Sequence, residues 1–227
     1  MRLVLVLVLL LSPLPLTAGD DRPTILVLGD SISVGYGVAV EEGWVGRLRA
    51  RLGTENYPHR VVNASITGDT TSGGRARLPD ALERHEPAIV IIELGGNDGL
   101  RGQPLEAMRR NLQAMIQHAR GAGAEVLLLG IRLPPNYGRA YIKRFIGVYE
   151  DLAATTGVAL VPRVLEGVGE RREFMQDDGI HPNADGHAVI LDNVWPTLHP
   201  LVKATAGENR DTQRSSSSGR PVSVASS

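Results

Sequence analysis

Apolar residues fall into two alternating kinds of run along this chain. Short, mostly branched runs at Thr24 to Gly29, Arg60 to Ala64, Ala88 to Leu94, Glu125 to Ile131 and Val158 to Val161 read as strands. Between them, Trp44 to Leu52, Arg75 to His85, Leu105 to Arg120 and Gly138 to Thr155 are patterned as helices. Leu105, Met108, Leu112, Met115 and Ala119 share one helical face, as do Tyr141, Phe145, Val148 and Leu152. Strands apolar on both faces, alternating with amphipathic helices, predict an α/β fold. In such a fold a parallel sheet is covered on both sides and joined by right-handed crossovers. Ala184 to Val202 predicts a closing helix, which Pro196 and Pro200 are expected to limit or break. With no internal repeat and no interdomain linker, the pattern describes one doubly wound domain over residues 20–203.

The two ends depart from that pattern. Arg2 precedes the apolar run Leu3 to Leu11, then come Pro13, Pro15 and the small residues Thr17, Ala18 and Gly19. A basic start, a short apolar core and a small-residue boundary predict a secretory signal over residues 1–19, cut after Ala18 or Gly19. The run is too short and too interrupted by proline for a membrane span, so the expected product is exported, periplasmic or secreted. Residues 204–227 contain the run Ser215 to Ser218 and no apolar periodicity, and are expected to form a disordered tail.

Loops following the strands hold the unusual residues. Asp30-Ser31 follows the first strand and Ser65 to Thr71 the second. Gly95 to Gly99 follows the third, Arg132 to Tyr137 the fourth, and Asp178 to His181 lies beyond the fifth. All of them converge on the carboxyl edge of the sheet, where open α/β sheets bind their ligands.

Composition narrows the chemistry. A formal net charge of -1 leaves no electrostatic footprint for nucleic acid. The absence of cysteine excludes disulfides and thiolate metal sites. His181 and His187 have no second cluster of ligands near them in sequence, so no metal is expected. Gly29 to Gly35 matches neither the dinucleotide fingerprint nor a P-loop with its lysine.

What remains is nucleophilic catalysis. A serine hydroxyl needs a base, and the base needs a group to fix its tautomer. Asp178 and His181, three residues apart in a turn bounded by Gly179 and Pro182, can supply both to Ser31. The backbone amides of Ser31 and Gly68, with the side-chain amide of Asn97, are candidate oxyanion donors. Leu100, Leu133, Pro134 and Tyr137 are candidates for the lining of an apolar acyl groove. Taken singly, Ser31 also reads as a helix cap, and Gly68 and Asn97 as turn residues. A carbohydrate or small-ester deacetylase and a non-catalytic lipid-binding module remain alternatives.

Gly29-Asp30-Ser31-Ile32, Gly68-Asp69, Gly95-Gly96-Asn97-Asp98 and Asp178-Gly179-Ile180-His181-Pro182 resemble the four blocks of the SGNH (GDSL-type) hydrolase superfamily. Asn63 to Thr70, Ile131 to Gly138 and Phe174 to Asp178 further resemble its bacterial periplasmic branch of acyl-CoA thioesterase/protease/lysophospholipase enzymes. The resemblance spans about Thr24 to Leu201; Ile32 departs from the leucine usual after the serine, a volume-conserving swap. It implies a flavodoxin-like three-layer α/β/α sandwich with a five-stranded parallel sheet. It also implies Ser31 as nucleophile, His181 as base, Asp178 as its orienter, and Ser31, Gly68 and Asn97 as the oxyanion hole. No cofactor is implied. The substrate expected is a small-molecule acyl ester or thioester with a medium to long chain, acted on by a monomer.

Overall fold

The computed structural model describes residues 22–218, with side chains through residue 207. The expected signal at 1–19 and the final stretch 219–227 of the expected tail lie outside the described residues. Strands β1 (Thr24–Gly29), β2 (Arg60–Asn63), β3 (Ile89–Glu93), β4 (Glu125–Leu129) and β5 (Ala159–Val161) form one sheet. Its order is β2-β1-β3-β4-β5, and every neighbouring pair is parallel. Ile25 to Leu28 and Ile89 to Ile92 are wholly buried, as their unbroken apolar runs require. The edge strands β2 and β5 are shorter and partly exposed.

Helices α2 (Trp44–Thr54), α3 (Thr71–His85), α5 (Leu105–Gly121), α6 (Arg139–Thr156) and α7 (Ala184–Ser218) cover the sheet. The short α1 (Ser31–Val34) and α4 (Gly96–Leu100) lie at its carboxyl edge. Helix α2 packs on α7, while α3 packs on α5 and α5 on α6. The first crossover runs outward from β1 to β2 and the later ones run the other way, which with right-handed connections splits the helices between two layers. Strand order therefore reverses between β1 and β3. Ser31 follows one of these strands and Asn97 follows the other.

Helix α7 corrects one expectation. It passes through Pro196 and Pro200 without ending. An interior proline costs about 3 kcal/mol. Here Ile190, Val194, Leu198 and Val202 are all fully buried along one face, and each such side chain contributes about 1.5–3 kcal/mol. Packing outweighs the lost backbone bonds. The same helix carries ordered structure beyond the expected tail boundary at 204. Thr205 and Ala206 are buried, and Thr205 Oγ1 meets His59 Nε2 at 2.8 Å.

Candidate active site

Ser31 opens α1 directly after β1. Asp30 caps that turn, its Oδ1 accepting from Ile32 N–H at 3.0 Å. The Ser31 hydroxyl donates to His181 Nε2 at 3.0 Å, and His181 Nδ1–H donates to Asp178 Oδ2 at 2.6 Å. The structure thus brings Ser31 and His181 together across 150 residues of sequence. With Nδ1 committed as donor, Nε2 is left as the acceptor, the tautomer a general base requires.

The Asp178–His181 unit is built locally. Asp178 Oδ1 accepts from Ile180 N–H at 2.9 Å and His181 N–H at 3.0 Å, folding the turn so that the imidazole lies over the carboxylate. The His181 ring, then the backbone N–H groups of His181 and Ile180, hold the Asp178 carboxyl down at about 2. It is therefore anionic at any working pH, although its side chain is 38% exposed.

Further contacts close the turn. Gln176 N–H donates to His181 O, and Met175 bridges Pro182 in antiparallel fashion. Gln176 Nε2 donates to Pro182 O at 2.8 Å and to Tyr36 O at 2.7 Å, tying the turn to the loop after α1. The Tyr36 ring lies against the His181 ring, with centroids 4.6 Å apart.

Gly68 lies in the β2–α3 loop at a φ of 76°, a left-handed conformation that suits glycine. Arg77 braces this loop by pairing with Asp69 at 2.8 Å and donating to Ala64 O and Gly29 O. Arg101 Nη2 donates to Gly68 O at 3.0 Å. The amide N–H groups of Ser31 and Gly68 have no intramolecular partner among the described residues. Asn97 sits in α4, entered through Gly95 at a φ of 118°. A Cβ on Gly95 would also run into Tyr149 and Met108. Asp98 fastens α4 to α3 by accepting from Thr71 N–H at 2.9 Å and Thr71 Oγ1–H at 2.5 Å. Asn97 Nδ2 donates one hydrogen to Asp30 Oδ2 at 3.0 Å, which leaves its second hydrogen free.

The groove candidates divide. Leu100 is 38% exposed, and Tyr137 OH donates to its carbonyl at 3.0 Å, so these two come together at the surface. Pro134 is exposed beside them. Leu133 is different: it is 3% exposed and belongs to the core, where it packs against Gly99. Buried there, it is not available to line a surface groove. Among the described residues His187 belongs to no cluster of metal-ligating side chains, and its Nδ1 accepts from Trp44 N–H at 3.3 Å.

Sequence reasoning passed over Asp30, Glu93, Tyr36 and Gln176. Glu93 had a visible signal, since it is an acidic residue within an otherwise apolar strand run and is wholly buried.

Residues 27–189 match the GDSL-like Lipase/Acylhydrolase family. The chain is 54% identical over 187 residues to Esterase TesA of Pseudomonas aeruginosa, spanning 82% of this chain and 93% of that protein. It is 45% identical over 179 residues to Thioesterase 1/protease 1/lysophospholipase L1 of Escherichia coli K12, spanning 79% and 85% respectively. A crystal structure of TesA superposes with a TM-score of 0.77 at 56% identity, covering 78% of this chain and 99% of that one.

Proposed function

Because the chain belongs to the GDSL-like lipase/acylhydrolase family and is an ester hydrolase, we propose that Ser31, His181 and Asp178 carry its reaction. In the first step His181 Nε2 takes the Ser31 proton as Oγ attacks the carbonyl carbon of an ester or thioester. Negative charge passes to the carbonyl oxygen, where the free amides of Ser31 and Gly68 and the second hydrogen of Asn97 Nδ2 receive it. The intermediate then collapses. The bond to the alcohol or thiol breaks, and His181 returns the proton to the leaving group where one is needed. Water clears the acyl-enzyme by the same route, releasing the acid and restoring the serine. Asp178 keeps Nδ1–H in place and stabilises the imidazolium between transfers.

The observation that carries this reading is His181 bridging Ser31 at 3.0 Å and Asp178 at 2.6 Å through its two ring nitrogens. We extend it to medium and long acyl chains, because Leu100, Pro134 and Tyr137 offer an apolar border on the side of Asn97. Exported enzyme is the expected form, since residues 1–19 have the pattern of a secretory signal. No helix among the described residues is long and apolar enough to cross a membrane. A monomer fits as well. Among the described residues, the exposed large hydrophobics are Val34, Tyr36, Val40, Ile66, Leu100 and Ile180; Val34 and Leu100 end the short α1 and α4, the others lie on loops, and none lies on the long helices that cover the sheet.

The test is hydrolysis of p-nitrophenyl esters from acetyl to palmitoyl by the mature protein and by Ser31→Ala. Expected is turnover that rises with chain length and falls by about 10⁶-fold in the variant. Turnover confined to acetyl overturns the acyl-chain assignment in favour of a deacetylase. Undiminished turnover in Ser31→Ala overturns the mechanism.

A further inference from the structure

Two buried carboxyl groups beneath the nucleophile take no part in the steps above. Asp30 is 3% exposed and Glu93 is fully buried, and the two meet where Asp30 N–H donates to the Glu93 carboxyl. Glu93 Oε2 accepts from Ser33 Oγ–H at 2.7 Å and from Asp30 N–H at 3.3 Å, while Oε1 is buried with no hydrogen-bond partner among the described residues. Ser33 Oγ in turn accepts from Trp44 Nε1–H at 3.2 Å. Among the described residues, no lysine or arginine is ion-paired with either carboxyl. The charged or titratable groups near the pair on neighbouring elements are Arg77 of α3, Tyr149 of α6 and His181, and Asp98 of α4 acts in turn on Tyr149. Of these, Arg77 reaches only Gly29 O here, and Tyr149 OH donates to Leu94 O.

Two adjacent carboxylates at this depth, without a paired cation, cannot both stay ionised. Burial, reinforced by the Asp30 charge, holds Glu93 well above the usual carboxylate range. Asp30 is raised to about 6, also by burial, against the stabilising bonds from Ile32 N–H and Asn97. At neutral pH the lower-lying Asp30 is the carboxylate and Glu93 is the acid. A carboxylate can only accept. Facing Asp30 Oδ2, the Asn97 side chain must present nitrogen and not oxygen, and its second N–H is then set for the oxyanion. A protonated Asp30 can donate to a flipped amide, and the discrimination is lost.

We propose that Glu93, as a neutral donor, and Asp30, as the carboxylate it serves, are positioning residues that lock the Asn97 amide with its nitrogen toward the oxyanion. The inference rests on the oxyanion role proposed above for Asn97, and neither carboxyl touches substrate.

The test measures kcat and KM for p-nitrophenyl butyrate from about pH 5 to about pH 8.5, with Ser31→Ala alongside and circular dichroism to establish folding. Asp30→Asn keeps an acceptor for Ile32 N–H but not the obligate acceptor for Asn97. It is expected to lower kcat about 10- to 100-fold with KM within about threefold, the signature of a transition-state contact. Glu93→Leu removes the donor to Asp30, so the fall in activity on acidification moves to higher pH and kcat drops. Glu93→Gln still donates to Asp30 and accepts from Ser33, and is expected to restore most of what Glu93→Leu loses. Folded Asp30→Asn with wild-type kcat and pH profile overturns the proposal, as does Glu93→Gln that is no better than Glu93→Leu. If Glu93→Leu does not fold, Asp30→Asn decides alone. Turnover surviving in Ser31→Ala overturns the reaction reading itself and this inference with it. An inactive Ser31→Ala beside an unaffected Asp30→Asn removes only the pair.

Discussion

Ser31 and Asn97 stand at the ends of strands whose side chains are wholly buried, whereas His181 and Asp178 stand on a turn that solvent reaches. On the strand side, geometry comes from the sheet. The β1–β3 register pairs Ile25 with Ile89 through Gly29 with Glu93 and so sets the nucleophile and the Asn97 helix side by side. On the turn side, geometry comes from a few hydrogen bonds within 174–183, plus the Gln176 and Tyr36 ties to the opposite loop. Moving the strand side means disturbing the core. The turn side can be displaced with the core intact, so activity and stability are expected to separate between the two.

Removing the base sharpens that contrast most. His181→Ala is expected to lower kcat by about 10⁴-fold or more, and Asp178→Asn by about 10³- to 10⁴-fold. Both are expected to melt close to the wild type, as checked by ester hydrolysis and calorimetry on the same samples. A melting temperature that collapses in either variant would break the comparison. The reverse substitution lies in the strand. Leu26→Ala in β1 is expected to cost about 2–5 kcal/mol in denaturant titrations, while the folded fraction keeps kcat within about threefold.

Acid should act on the buried side as well. His187 is 1% exposed, and its Nε2 has no hydrogen-bond partner among the described residues. Burial, aided by Arg47 and His181, pushes its imidazole down to about 4. Unfolded, it would titrate near its ordinary 6.5. Between those values the unfolded chain takes up a proton that the folded chain refuses. Stability from this group is therefore present above about 6.5 and is lost as pH falls toward 4. His59, lowered to about 4 by burial, adds in the same direction. These two histidines impose a downward slope on the melting temperature from pH 7.5 to pH 4, opposed by Asp30 and Glu93, whose raised carboxyls favour the folded state as pH falls. His187→Asn, which keeps an acceptor for Trp44 N–H, is expected to flatten part of the slope; an unchanged slope would remove His187 from the account. The smallest effect is expected at the tie between the two sides. Gln176→Ala releases Tyr36 O and Pro182 O and is expected to lower kcat about tenfold through misplacement of His181, with little change in stability.

The same division governs what could be read without the fold. All five strands fall within two residues of their apolar runs, because a strand buried on both faces has no other way to be written. The Asp178–His181 unit was equally legible, since its members are three residues apart and the turn that joins them is local. Ser31 was legible from its place after β1. The Asp30–Glu93 contact was not, since its partners are 63 residues apart and only an acidic residue in an apolar run betrays it. Gln176 and Tyr36, 140 residues apart, left no signal at all. Pro196 and Pro200 misled because local propensity opposes a helix there, while a buried face far from either proline sustains it.

By itself the sequence determined the strands, the main helical segments, the carboxyl-edge convergence of its polar loops and the locally built base. These depend on periodicity and on contacts within a few residues. Only the tertiary structure decided that His181 reaches Ser31, that two carboxyls share the ground beneath it, that Leu133 belongs to the core, and that α7 continues past its prolines. Each of these is a balance between distant groups, set by which surfaces the sheet buries against one another, and no local pattern records it.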